Sequence, residues 1–156
     1  MTRLFATTSA IATAIALVGG FTVDTAKAET VEVEMLNMKG GQMMVFEPAV
    51  VHIESGDSVR FVATDKGHNA QAVPGMVPDG GEDFQVPYNV DKEITFEADG
   101  VFGYKCLPHY SMGMVGLVVV GEPDVNIDAV REAAKGAPGK ADDRFAQYLD
   151  QAKNGS

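Results

Sequence analysis

An all-β sandwich ending in two short α-helices is the fold this sequence predicts, and three observations carry it. Most of the chain after Glu29 alternates apolar and polar residues with a period of two, the mark of half-buried strands. These segments are short and bounded by Gly, Pro, Ser and Asp turn signals. Beyond residue 121 the apolar spacing lengthens to that of a helix.

The N-terminal stretch stands apart. Arg3 supplies a positive start, an Ala/Leu/Ile/Val-rich run follows over 4–23, and Ala26-Lys27-Ala28 is a small-x-small cleavage site. Residues 1–28 are therefore expected to be a secretory signal peptide, with the mature chain starting at Glu29. A retained anchor fits less well. Thr, Ser and Gly dilute the run, Asp24 closes it, and no basic stop-transfer cluster follows.

Strands are then expected in order. Val31, Val33 and Met35 alternate with Glu32 and Glu34. Val50–Ile53 is a second strand, and Ser55-Gly56-Asp57 turns the chain into a third around Val59, Phe61 and Ala63. Ala70–Val73 is a short strand stopped by Pro74-Gly75, and the Gly/Pro-rich stretch from Pro74 to Pro87 is expected as loop. Glu93–Phe96 is strand-like, and Gly100–Lys105 leads into the single cysteine. Val115–Val120 is a continuous apolar run, suited to a central strand buried on both faces. Ile127, Val130 and Ala134 mark one helix, with Asn126 as its expected cap and Gly136-Ala137-Pro138 as its stop. Phe145, Leu149 and Ala152 mark a second, with Asp142 and Asp143 near its start and Lys153 near its end, as the helix dipole favours. The expected organisation is a sandwich over 29–121 with a helical extension, 122–156, packed on it.

Composition narrows the function. The chain has 156 residues, 46% of them hydrophobic, and a formal net charge of −10. That is enough apolar material for one domain with a core, and the acidity argues against nucleic acid and anionic lipid as partners.

The chemistry sits in Cys106-Leu107-Pro108-His109-Tyr110-Ser111-Met112-Gly113-Met114. This run holds the only cysteine and one of three histidines. An exported protein meets an oxidising compartment, and a lone cysteine there has no internal disulfide partner. A thiolate, an imidazole and a thioether on one short loop are soft ligands that suit copper, and a second imidazole would complete a His2Cys site with a weak axial methionine. His68, after a strand, is the candidate. His52 lies inside a strand pattern and is read as structural. Pro108 fixes the turn and removes one N–H donor near the sulfur. Asn69 is placed to tie the His68 loop to the Cys106 loop. Spacing leaves the axial sulfur open between Met112 and Met114. Met114 directly precedes the apolar strand, which would hold it rigidly.

The segments Asp65-Lys66-Gly67-His68-Asn69 and Cys106–Met114 resemble the cupredoxins, the small blue copper proteins. With Met35-Leu36-Asn37 and the two-helix tail, the resemblance is to their pseudoazurin family, and it covers nearly the whole mature chain. It implies an eight-stranded Greek-key sandwich and one copper cycling between Cu(II) and Cu(I). It also implies the ligand set His68, Cys106, His109 and Met114. It further implies a monomeric periplasmic one-electron carrier, with no membrane attachment after cleavage. Such a carrier takes electrons from a cytochrome or other respiratory donor. It passes them to a copper nitrite reductase or a related denitrification enzyme. Docking is expected to be transient and close to His109, with Lys66 and Lys105 flanking the ligand segments and Lys39 in an early Gly-rich loop. The chain is more acidic than the resemblance would suggest, which sets the local basic groups against an acidic body. A multicopper enzyme would need more histidines than three. A copper carrier or storage module remains the alternative, with Met35, Met38, Met43 and Met44 as its faint signal.

Overall fold

The computed structural model describes residues 27–155, so the expected signal peptide lies outside them but for its last two residues. Among the described residues are nine strands: β1 (Thr30–Lys39), β2 (Gln42–Glu47), β3 (Val50–Ile53), β4 (Ser58–Val62), β5 (Ala70–Ala72), β6 (Gln85–Val86), β7 (Lys92–Thr95), β8 (Gly100–Lys105) and β9 (Val115–Val120). They form two sheets, ordered β2-β1-β4-β7 and β3-β9-β8-β5-β6. Helices α1 (Ile127–Ala134) and α2 (Ala141–Asn154) follow. The predicted sandwich with two terminal helices is the fold observed.

Two apolar layers hold it together. Between the sheets lie Val33, Met35, Phe46, Val59, Phe61, Phe84, Phe96, Phe102, Tyr104, Val118 and Val120. Their rings meet mostly edge to face, as in the Phe46–Tyr104 pair at 4.8 Å between centroids. On the outer face of the five-stranded sheet, Val101, Leu117 and Val119 meet Ile127, Val130, Phe145, Tyr148 and Leu149 of the two helices. Strand β9 serves both layers. Val118 and Val120 point inward and Val115, Leu117 and Val119 point to the helices, which is why its apolar run is unbroken.

The pairing is mixed. β1 runs antiparallel to β2 and parallel to β4, β3 runs parallel to β9, and β8 is antiparallel to both β9 and β5. The register of β8 on β9 ends with Lys105 opposite Val115. Cys106 and Met114 are therefore the first residues beyond the ladder, on opposite arms of one loop.

Three features depart from the sequence expectation. β2 was not foreseen, because Met43-Met44-Val45-Phe46 has no alternation; the strand is recruited by pairing with β1 in a tight hairpin. β6 is two residues inside the stretch expected as loop, and it forms because Ala70 and Gln71 offer a free edge to it. With β6 the strand count among the described residues is nine, against the eight implied by the resemblance. Asn126 does not cap α1 with its side chain. Its Oδ1 accepts from Val101 N at 2.7 Å and its Nδ2 donates to Val101 O at 2.9 Å. The carboxamide thus satisfies a β8 peptide group beyond the reach of β5.

Candidate metal centre

The loop from Cys106 to Met114 is closed by its own backbone. Cys106 N donates to Met114 O at 2.9 Å, and Met114 N donates to His109 O at 3.1 Å. A single 3-10 turn, Tyr110–Met112, lies between, with Met112 N bonded to His109 O at 3.0 Å. Gly113 ends that turn with φ +87°, a conformation open to glycine at no steric cost. The effect is to fold His109 back toward Cys106, as Pro108 and the short spacing require.

His68 arrives from the β4–β5 connection, and Asn89 grips that connection twice. Asn89 Oδ1 accepts from Gly67 N at 2.6 Å, and Asn89 N donates to His68 O at 3.0 Å. His68 is fully buried, and its Nε2 donates to Asn37 Oδ1 at 3.0 Å. Asn37 is itself held from its backbone, N to Asp65 Oδ2 at 2.6 Å. With the Nε2 proton so engaged, Nδ1 presents a lone pair.

Three donor atoms converge. Cys106 Sγ lies 3.7 Å from His68 Nδ1 and 3.5 Å from His109 Nδ1, and the two nitrogens are 3.2 Å apart. The point equidistant from all three is about 2.0 Å from each, close to a transition-metal bond to imidazole or thiolate. No other group of His, Cys, Asp or Glu side chains among the described residues makes such a cluster. The donor set is two imidazoles and a thiol, the set that suits copper. Cys106 and Met114 are fully buried in one apolar cluster, whereas Met112 is 37% exposed at the loop tip. The two methionines that spacing left open thus differ in burial, Met114 inside the core and Met112 at the surface. His109 is half-buried, the donor nearest to solvent.

The electrostatics favour neutral, metal-ready imidazole at His68. Burial holds its pKa below the ordinary value, the neighbouring His109 adds to this, and Asp65 opposes it. Burial also pushes the Cys106 thiol up, against the backbone amides of Asn69 and His109, which favour the thiolate. Loss of the Pro108 N–H therefore does not leave the sulfur without donors.

Asn69 performs the expected tie. Its Oδ1 accepts from Leu107 N at 2.8 Å, joining the two loops that carry His68 and Cys106. His52 is exposed on β3 and takes no part in the cluster. Lys66 is exposed beside the His68 segment, and Lys105 Nζ sits 4.5 Å above the Tyr110 ring. Met43 is 51% exposed, while Met44 is half-buried against the inter-sheet core. Sequence reading missed the roles of Asn37 and Asn89. A polar residue in an alternating strand and an Asn in a turn carry no signal of what they reach across the fold.

Residues 32–121 match a family model described as copper binding proteins of the plastocyanin/azurin family. The chain is 47% identical over 106 residues to a pseudoazurin of Methylorubrum extorquens, covering 68% of this chain and 72% of that one. It is 45% identical over 124 residues to a pseudoazurin of Paracoccus pantotrophus, covering 80% and 84%. The crystal structure of native pseudoazurin from Hyphomicrobium denitrificans superposes with a TM-score of 0.73 at 40% identity, covering 78% of this chain and 97% of that one.

Proposed function

Because this chain belongs to the copper-binding plastocyanin/azurin family and, within it, to the pseudoazurins, we propose that it is a periplasmic carrier whose one copper is held by His68, Cys106, His109 and Met114. The observation that supports the ligand set is the convergence of His68 Nδ1, His109 Nδ1 and Cys106 Sγ to within 3.7 Å of one another, with Met114 buried beside the cysteine.

Bound there, copper supplies a one-electron couple between Cu(II) and Cu(I). The protein's part is to hold the donors still. His68 is fixed through Asn37, Cys106 and Met114 through the end of the β8–β9 ladder, and His109 through its carbonyl bonds to Met112 and Met114. A donor set that does not move when the charge changes keeps reorganisation small. His109, half-buried among the exposed Leu107, Pro108 and Met112, offers the edge through which electrons pass to a docked partner. Such docking is weak and brief.

The acceptor we propose is a copper nitrite reductase or a related denitrification enzyme, fed from a cytochrome or other respiratory donor. The support is the resemblance to pseudoazurins together with Lys66 and Lys105 beside the centre. The carrier works as a monomer after export.

The test is optical. Copper-loaded mature protein treated with an oxidant is expected to show an intense visible sulfur-to-copper band that bleaches on reduction. A protein that binds copper and stays colourless would be a storage module instead.

A further inference from the structure

The loop that carries His109 and Met114 is gripped from outside by the C-terminal tail. Arg144 of α2 reaches across the top of the sandwich. Its Nη1 donates to Gly113 O at 2.7 Å and to Met44 O at 3.1 Å, and its Nη2 reaches Met43 O at 3.3 Å. One planar guanidinium thus joins three carbonyls from two separate segments.

Both segments lead to the metal centre. Gly113 is the residue before Met114, and a Cβ there would meet Arg144 Cδ at 2.9 Å, so the glycine makes room for the clamp. Met44 has φ +52°, a backbone conformation uncommon for a residue with a side chain. It faces Asn37 across the β1–β2 hairpin, between the pairs Leu36–Val45 and Met38–Met43. At this step the hairpin turns backbone groups outward, Asn37 N to Asp65 and Met44 O to Arg144. Asn37 is the residue that holds His68 Nε2. The tail adds a second grip, Lys140 N to Ser111 O at 3.0 Å.

We propose that Arg144 is a positioning residue for the metal centre. It ties the hairpin step that orients His68 to the carbonyl that sets Met114, and so fixes the two sides of the site relative to each other. This rests on the ligand set proposed above.

The test compares Arg144→Met, which keeps an unbranched apolar stem and removes the donors, with Arg144→Lys and a control. The control is Arg131→Met, which breaks the 3.0 Å ion pair to Asp150 between α1 and α2 without touching the loop. In full-length mature protein without metal, amide exchange at Gly113 and Met114 is expected to rise about tenfold or more in Arg144→Met. In the copper-loaded protein, the reduction potential and the intensity ratio of the charge-transfer bands are expected to shift. Arg144→Lys should fall between that variant and wild type, and it carries the same readouts if Arg144→Met does not fold. Wild-type exchange in the metal-free variants would overturn the clamp whatever the metal does. Faster exchange with an unchanged potential and spectrum would reduce Arg144 to a stabilising contact. An equal spectral change in Arg131→Met would trace the effect to general loosening of the tail and also overturn the proposal. A colourless wild-type protein would instead strike at the ligand set.

Discussion

Asn37 Oδ1 accepts the Nε2 proton of His68 at 3.0 Å, and this contact selects the ring nitrogen that faces the other donors. A buried imidazole without that acceptor is free to adopt the other tautomer, with its proton where a metal bond belongs.

Replacing Asn37 by Leu should therefore weaken copper binding by about tenfold to a hundredfold, the usual cost of losing such a supporting partner. Chelator competition against wild type measures it. An affinity unchanged within twofold would show that packing alone orients His68.

The two methionines of the loop should behave differently. Met114 is fully buried with Cys106, and Met112 is 37% exposed. Met114→Gln would replace the buried thioether by a harder oxygen donor, which favours Cu(II) and should lower the reduction potential. Met112→Gln should leave it nearly unchanged. Voltammetry of both variants decides, and a larger shift from Met112 would reverse the axial assignment.

Metal binding should release a proton. Burial pushes the Cys106 thiol up, so it is protonated at neutral pH in the metal-free protein, while His68, with its pKa held down, is already neutral. Copper binding near pH 7 should expel about one proton, and affinity should rise about tenfold per pH unit. Calorimetry in buffers of different ionisation enthalpy counts it. The same shifts set the metal-free stability. His68 has a lower pKa folded than unfolded, so its contribution is complete above about pH 6.5 and is lost as pH falls below it. Cys106 has a higher pKa folded than unfolded, so its contribution is lost as pH rises above about 8.5. Urea midpoints across pH should peak between these limits.

Lys66 and Lys105 should steer partners despite the acidic body. Charge reversal at both, Lys66→Glu with Lys105→Glu, is expected to slow electron exchange with an acidic partner by about tenfold or more at low salt. The difference should shrink as salt screens it. Equal stopped-flow rates at low salt would remove these lysines from docking.

Much of the proposed site was legible because most of its candidate donors are neighbours in the chain. Cys106, His109 and Met114 are spaced by the loop itself, and β9 betrayed its double burial by five aliphatic residues broken only by Gly116. What escaped lies across space. Asn37 and Arg144 look like ordinary surface residues until the hairpin and the tail bring them against the loops. Asn126 looked like a cap because it stands before a helix, but an unpaired β8 peptide competed for its carboxamide and won. β2 was hidden because its pairing with β1, not its own pattern, makes it a strand.

The three donors proposed on the β8–β9 loop are local in sequence, whereas His68 lies 38 residues before Cys106 and reaches it only through the completed sandwich. An unfolded chain therefore keeps a partial chelate, with cysteine, histidine and methionine already close. Ions that bind the denatured chain raise its population as well as that of the native one. Copper should thus stabilise this protein by less than its native affinity implies. Of the four proposed donors, His68 is the one whose arrival reports that folding is complete.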